Sequence, residues 1–321
     1  ELLSRYSLRL SFLLGVSSLA LFSKNLSASS VSTEYLDANL NEDGSIYIDG
    51  TSSLPLQSTL ESLLTFQLLN RLDEATAITS LAALESPTDE TSTEFLSYWL
   101  MLNQNHGGYP SLLAQLTARQ NLDGGFGFLA GYSSDPLNTA VALMALNESG
   151  YSSSSAAGAI AYLTNLQSET GSWDLVDKSS GLQTVELTAI VAHSLWKFRH
   201  QFSTLSSVDA AISYLQSQKS GALWPTTEAS ALALNTIVNR LVDRSAISES
   251  VTEFSGLQGV NKSFDEDTYI TALGLRVLES FQNDPEDISV IRGRVVDAEF
   301  AGPIAGAKVS ISGALMETLI T

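Results

Sequence analysis

The chain has 321 residues, of which 44% are hydrophobic and 16% charged, and its 35 acidic and 16 basic residues give a formal net charge of −19. This length and composition predict a globular protein of about two domains and exclude disordered and collagen-like chains. The negative charge repels phosphate backbones and anionic lipid headgroups, which argues against nucleic-acid binding. Because the sequence contains no cysteine, it has no disulfide, no thiolate nucleophile and no cysteine-ligated zinc site.

The first 30 residues have the pattern of an export signal. Arg5 and Arg9 precede an apolar run over residues 10–22, and small polar residues follow it. This run is shorter than the roughly 20 apolar residues that a membrane-spanning helix needs. We therefore predict a signal peptide over residues 1–30, export to the periplasm, the cell surface or the medium, and no transmembrane helix after its removal. A buried N-terminal helix is the alternative interpretation.

An internal repeat occupies residues 31–283. Four segments place an aromatic residue six positions after a glutamine, namely Gln120 and Phe126, Gln167 and Trp173, Gln218 and Trp224, and Gln258 and Phe264. A hydroxyl residue then opens an Ala/Leu-rich run in each copy, at Thr139, Thr188, Ser230 and Thr271. These hydroxyl positions are 49, 42 and 41 residues apart, the size of a helical-hairpin repeat.

Each repeat predicts two helices of different character. The helix before the glutamine is amphipathic, with Ile160, Leu163 and Leu166 on one face in one copy, whereas the Ala/Leu-rich helix is apolar nearly all round. The second type must be covered on most sides, so we expect two concentric layers with the apolar helices inside. Weaker copies bring the count to six hairpins, over residues 31–70, 73–105, 110–148, 155–199, 207–241 and 246–282. The predicted fold is all-α, a closed α/α toroid of about twelve helices.

The pattern changes after residue 283. Residues 284–321 contain alternating β-branched residues with Gly and Pro turns, which predicts two or three strands. Residues 293–297 and 303–309 resemble the start of carboxypeptidase-regulatory-like β-sandwich modules. The resemblance implies the opening of an accessory β-sandwich domain, and we expect further domains beyond Thr321.

The glutamine–glycine–aromatic element with its following Thr-Ala helix resembles the repeat of prenyltransferases and squalene cyclases. Residues 118–146 carry this resemblance most specifically, and it covers about residues 31–282. It implies the α/α toroid. The same fold also serves cobalamin carriers and the thioester domains of complement-like proteins, so the fold alone does not define the function.

The catalytic motifs of these families are incomplete in this sequence. Asp265 and Asp267 are the candidate catalytic residues, because the segment 265–268 approaches the Asp-x-Asp-Asp-Thr motif of class II terpene cyclases but lacks its paired aspartates. In the repeat register, Asp267 corresponds to Asp135, Thr184 and Thr226, all of which are helix-capping residue types, so a capping role explains all four positions together and is the favoured interpretation. The prenyltransferase zinc site and the thioester each require a cysteine.

The loops after the amphipathic helices supply the candidate ligand-binding residues, which are Tyr109, Asp123, Phe126, Trp173, Asp174, Trp224 and Phe264. The alternative is structural, because in the resembling family the glutamine ties this loop to a helix end. Three histidines, His106, His193 and His200, lack ligand spacing with one another. Asp123, Asp174 and Asp177 carry oxygen ligands of the kind that calcium prefers, but the sequence around them lacks EF-hand spacing. We predict no metal and no cofactor.

These observations favour a non-catalytic exported toroid, part of a larger multidomain cell-envelope protein, that binds an apolar, glycan or protein ligand. One alternative is a lumen-based enzyme that acts on an isoprenoid or a polysaccharide in an apolar lumen. Another is a carrier of a bulky apolar ligand. The repeat register does not identify a pair of catalytic carboxylates.

Overall fold

A computed structural model describes residues 31–48, 55–69, 71, 88, 91–102, 109–149, 154–174, 184–238, 240, 245–282, 308–311 and 317–320. The helices in this part of the chain are α1 (Glu34–Ala38), α2 (Pro55–Leu68), α3 (Thr93–Leu102), α4 (Tyr109–Ala118), α5 (Pro136–Glu148), α6 (Ser154–Leu166), α7 (Thr184–Lys197), α8 (Leu205–Ser217), α9 (Thr227–Val238), α10 (Ser245–Gly256) and α11 (Thr268–Gln282). Two strands follow, β1 (Lys308–Ile311) and β2 (Glu317–Ile320).

Six of these helices form a closed inner ring. Helices α2, α3, α5, α7, α9 and α11 each pack against the next, and α11 packs against α2 to complete the circle. Helices α1, α4, α6, α8 and α10 lie outside this ring. The predicted α/α toroid is therefore confirmed. The predicted outer helix of the second hairpin and the predicted signal peptide lie outside the described residues.

The two layers bury their side chains as the sequence predicts. Inner helix α5 buries eleven of its thirteen residues, and several of these are alanines that let neighbouring helices approach closely. Outer helix α8 buries a single stripe at helical spacing, Val208, Ala211, Ile212 and Leu215. The core consequently lies between the layers, and burial of these stripes holds the outer helices to the ring.

The hydroxyl residue of each repeat forms one recurring hydrogen bond. Its side-chain oxygen accepts the backbone N–H of the loop aromatic, as between Phe126 and Thr139 at 2.9 Å. The same bond joins Trp173 to Thr188, Trp224 to Ser230, Phe264 to Thr271 and, in the first repeat, Ile46 to Thr59. A buried N–H needs a partner, so these positions require a hydroxyl rather than an aliphatic side chain.

Arg276 on α11 joins the end of the ring to its beginning. Its guanidinium forms an ion pair with the Glu61 carboxylate and donates from Nε to Thr65 Oγ1 at 2.8 Å. Thr65 donates in turn to the carbonyl of Ala272 at 3.1 Å. Glu61 is 4% exposed, so this seam holds a buried charge that is paired as such charges require.

The C-terminal segment is described only by two short strands. Strands β1 and β2 pair antiparallel, with Val309 opposite Leu319. The remainder of the predicted β-sandwich module lies outside the described residues, and the structure does not support that module beyond this hairpin. Within the described ranges, no helix combines the length and the hydrophobicity that crossing a membrane requires.

Candidate functional site

Acidic side chains gather where the inner helices begin. Glu94, Glu186 and Glu228 lie in the first turns of α3, α7 and α9, where the helix dipole favours negative charge. Glu61 interacts electrostatically with Glu94 and with two tyrosines, Tyr98 and Tyr269, that also join the group. We call this group the acidic mouth; its members are Glu61, Glu94, Glu186, Glu228, Tyr98 and Tyr269.

The helix caps explain why these residues converge. Ser92, Thr226 and Asp267 each accept a backbone N–H three residues ahead, at 3.1, 2.9 and 3.0 Å respectively. Such a cap fixes where the helix begins and therefore which way each later residue points. The residues two positions after these caps are Glu94, Glu228 and Tyr269. The same position in the repeat therefore contributes one residue to the acidic mouth from each of these three inner helices.

Glu94 has the most strongly perturbed carboxyl group of the acidic mouth. Burial raises its pKa from 4.5 to about 7, and the negative charges of Glu61 and Asp135 contribute to the increase. Burial also raises the pKa of Asp135. A carboxyl group of this kind holds a proton close to neutral pH and can donate it to a substrate.

A second pair of carboxylates lies on the α7 and α9 side. Burial raises the pKa of Glu228, and the charges of Glu186 and Asp267 add to this effect. The hydroxyl of Tyr269 hydrogen-bonds to Glu228. Glu186 is 4% exposed, and its Oε2 has no hydrogen-bond partner within the described protein. A buried carboxylate oxygen without a donor is costly, so it marks a position where a bound group could donate.

The interior of the acidic mouth is polar. Tyr98 hydrogen-bonds to Glu61, and burial together with the carboxylates raises the pKa of Tyr98 well above its usual range. Glu94 and Tyr98 nevertheless keep some accessible surface although they lie deep in the ring. The enzyme alternative assumed an apolar lumen, whereas three of the inner helices carry a glutamate in the first turn at this end.

Deeper in the ring, His193 carries a neutral imidazole. Burial lowers its pKa to about 3, and the positive charges of Lys197 and Arg276 act in the same direction. The side chain of His193, on inner helix α7, keeps part of its surface accessible. This side chain can accept or donate a hydrogen bond at physiological pH without carrying a charge.

The predicted loop aromatics lie inside the wall between the two layers. Phe126, Trp173, Trp224 and Phe264 are at most 4% exposed. The indole N–H groups of the two tryptophans donate to outer-helix carbonyls at 2.7 Å, and the Phe264 ring stacks on Phe254 of α10. These contacts join the layers. They do not support a ligand-binding role for the four aromatic residues, and that role stays a prediction.

Two of the repeat glutamines tie their loop to the following repeat. Gln120 donates to Gly124 O and to Ser155 O, both at 2.7 Å. Gln167 makes the equivalent pair of bonds at 2.9 and 2.8 Å, and Gln258 retains the loop bond. Gln218 donates instead to Ser217 Oγ. The element thus couples neighbouring hairpins.

The remaining sequence candidates are dispersed. Asp123 is exposed and accepts from Gly125 N and Ser134 Oγ, which is turn chemistry, and the exposed Asp174 accepts from Thr184. Asp265 is exposed in a left-handed conformation, whereas the carboxylate of the buried Asp267 caps α11. Tyr109 begins an outer helix, at the opposite end of the ring from these loops.

Metal ligation has no support among the described residues. No group of three or more histidine, aspartate or glutamate side chains there is arranged to hold a metal ion. This absence extends to the residues of the acidic mouth. His106 and Asp177 lie outside the described residues.

The opposite end of the ring is basic. Lys197 pairs with Glu148 at 2.9 Å, and the Trp196 ring has Arg199 at 3.8 Å and Arg240 at 5.1 Å from its centroid. Cations are favourable at helix C-termini, where these residues lie. A surface cavity of about 280 Å³ at this end is lined by Arg199, Phe202, Ser203, Leu205 and Ser206. Lysine and arginine side chains therefore gather at this end, where Glu148 and Asp209 pair with two of them, whereas the acidic mouth lies at the other end.

Comparison with known proteins defines the fold. No family model and no curated protein matches the sequence. Solved structures match over 78% of this chain. They include a protein from Actinoplanes (TM-score 0.62, 14% identity, 97% of that chain), the type II terpene cyclase MstE from Scytonema (0.60, 15%, 95%) and the GH76A α-1,6-mannanase from Salegentibacter sp. HEL1_6 (0.58, 12%, 96%). At these identities the similarity shows the fold alone. The chain is an α/α toroid, a fold that it shares with enzymes.

Proposed function

We propose that this toroid is an acid–base enzyme that cleaves glycosidic bonds in a polysaccharide at the acidic mouth. The observation that carries the proposal is the Glu94 carboxyl group, whose pKa is raised to about 7 while other carboxylates surround it. Carboxyl groups held in different environments can divide the roles of acid and base at one pH. Glu94 is the proposed acid, and Glu228, on a helix across the ring, is the proposed base; Tyr269 interacts electrostatically with both of them.

The proposed reaction uses one water molecule. Glu94 donates its proton to the glycosidic oxygen as the bond from that oxygen to the anomeric carbon breaks. Water attacks the anomeric carbon, and its proton passes to Glu228, whose raised pKa makes it a better base. The Tyr269 hydroxyl, which hydrogen-bonds to Glu228, positions that carboxylate.

The polarity of the mouth favours a hydroxyl-rich substrate over an isoprenoid. Glu186 presents an unpartnered buried oxygen, and each hydroxyl of a sugar can donate to such an oxygen. An alkene would leave that oxygen unsatisfied. An isoprenoid enzyme remains the alternative, since the same acid could protonate an alkene, and the terpene cyclase similarity concerns the fold.

The test is a hydrolysis assay with the purified full chain. Soluble α-mannan, β-glucan and xylan are incubated with the protein, and new reducing ends are measured. We expect one of them to be cleaved. Glu94→Gln and Glu228→Gln should each reduce the rate by about 10²–10⁴-fold, the usual effect of removing a general acid or base.

Glu253→Gln is the matched control, because it makes the same chemical change on the exposed side of outer helix α10. If Glu94→Gln keeps the wild-type rate, either a contaminating hydrolase causes the activity or the enzyme uses a different mechanism. Either explanation refutes the assignment of Glu94 as the general acid. Binding of a polysaccharide without any cleavage would instead support the non-catalytic binding toroid. Export, which the N-terminal sequence predicts, is a separate proposal that N-terminal sequencing of the secreted protein would test.

A further inference from the structure

We infer that Phe128 and Tyr132 form a platform on which a sugar ring of the polysaccharide stacks beside Glu94. This inference rests on the proposed function, because it extends the same site. The two rings are 52% and 57% exposed, and their centroids lie 6.5 Å apart in an edge-to-face arrangement. Both side chains are more than half exposed and therefore contribute little to the core, and together they form an exposed aromatic pair.

The platform is attached directly to the helix that carries the proposed acid. The carbonyl oxygen of Phe128 accepts the backbone N–H of Thr93 at 2.8 Å. Thr93 begins α3, and Glu94 is the next residue. The loop that carries both aromatic rings therefore crosses the rim of the acidic mouth on the Glu94 side.

The loop is fixed before any ligand binds. The carbonyl of Tyr132 accepts from Asn121 Nδ2 at 2.8 Å, and Tyr132 N donates to Leu129 O at 3.1 Å. A Cβ atom added at Gly127 would lie 2.4 Å from the Tyr132 carbonyl oxygen, so the two sides of the loop are in close contact. Rings on such a backbone lose little conformational freedom when a ligand stacks on them.

The chemistry of the rings favours a sugar as the occupant. The face of an aromatic ring is electronegative, and the C–H groups on one face of a pyranose are weakly electropositive. A nucleobase would also stack, but its phosphate backbone is repelled by the acidic mouth and by the net charge of −19. The platform would hold one sugar of a chain whose neighbouring glycosidic oxygen reaches Glu94.

The test is affinity electrophoresis of the full chain in native gels that contain α-mannan, β-glucan or xylan. We expect one polysaccharide to retard the wild type and Glu94→Gln equally, since the platform does not need the acid. Phe128→Ala and Tyr132→Ala should each weaken binding about tenfold, whereas Tyr132→Phe should keep it. Val260→Ala, which removes a fully exposed apolar side chain from another loop, is the matched control. Thermal melting of the Phe128, Tyr132 and Val260 variants should be unchanged because these three side chains are exposed.

Each outcome bears on the platform separately from the catalytic proposal. If no polysaccharide retards the wild type, or if Phe128→Ala and Tyr132→Ala migrate as the wild type does, the platform is refuted even when hydrolysis is observed. Retardation that depends on the two rings without any hydrolysis supports the platform and refutes the enzyme. When hydrolysis occurs, the ring variants should raise KM about tenfold and change kcat by less than threefold.

Discussion

Replacing Glu94 by glutamine should stabilise the protein at alkaline pH and leave it unchanged at acidic pH. The pKa of this carboxyl is about 7 in the folded protein against 4.5 as the ordinary value. The folded state therefore binds the proton more tightly than the unfolded state does, so Glu94 lowers stability as pH rises from 4.5 and has its full effect above 7. A shift of this size corresponds to about 3 kcal/mol. Glutamine is neutral at every pH, so the stability of the variant does not fall in this way as pH rises.

The assay is urea unfolding followed by far-UV circular dichroism at pH 4, 5, 6, 7 and 8. We expect the difference in unfolding free energy between Glu94→Gln and the wild type to rise by about 3 kcal/mol from pH 4 to pH 8. Taking the difference removes the contributions of the other carboxylates. A difference that is constant with pH, or one that matches Glu253→Gln, would show that the Glu94 carboxyl is not held in the proton-retaining environment that the structure describes.

Three further substitutions test the architecture, each by its change in unfolding free energy. Thr139→Val should cost about 1–3 kcal/mol, because it leaves the buried Phe126 N–H without an acceptor, and Thr139→Ser should recover most of that loss. Gln167→Ala removes one hydrogen bond within the loop and one that joins neighbouring hairpins, and it should cost about 1–3 kcal/mol. If the variant is as stable as the wild type, this role of Gln167 is contradicted. Gly274→Ala places a Cβ atom 2.6 Å from the Phe264 ring, so a loss of about 1–3 kcal/mol is expected, and an unchanged midpoint would contradict that packing.

Much of the architecture could be predicted from local patterns. The four glutamine–aromatic pairs and their hydroxyl residues identified the repeat, because a hydrogen-bonded unit that recurs must retain the same residue types at the same spacing. The alternation of amphipathic and all-apolar helices indicated two layers, since an all-apolar helix needs cover on most sides. The closed toroid followed, and solved structures of this fold agree with it.

The candidate site was missed because its members are ordinary residues in sequence. Glu94, Glu186 and Glu228 stand in the first turns of their helices, where glutamate is common for reasons of helix stability alone. One signal was available: in the repeat register, the residues two positions after Ser92, Thr184, Thr226 and Asp267 are Glu94, Glu186, Glu228 and Tyr269. Comparing that position across the repeats would have brought them together.

The sequence by itself determined the repeat, the two layers and the capping role of residues such as Asp267, because these depend on contacts within one hairpin or between adjacent hairpins. Only the tertiary structure decided that the lumen is acidic at one end. Glu61 and Glu94 belong to different hairpins, and Glu94 and Glu228 are on helices that lie across the ring from each other. The raised pKa of Glu94 arises from burial and from charges that ring closure brings near it. No spacing along the chain encodes that environment, since it exists only once six helices have closed around one axis.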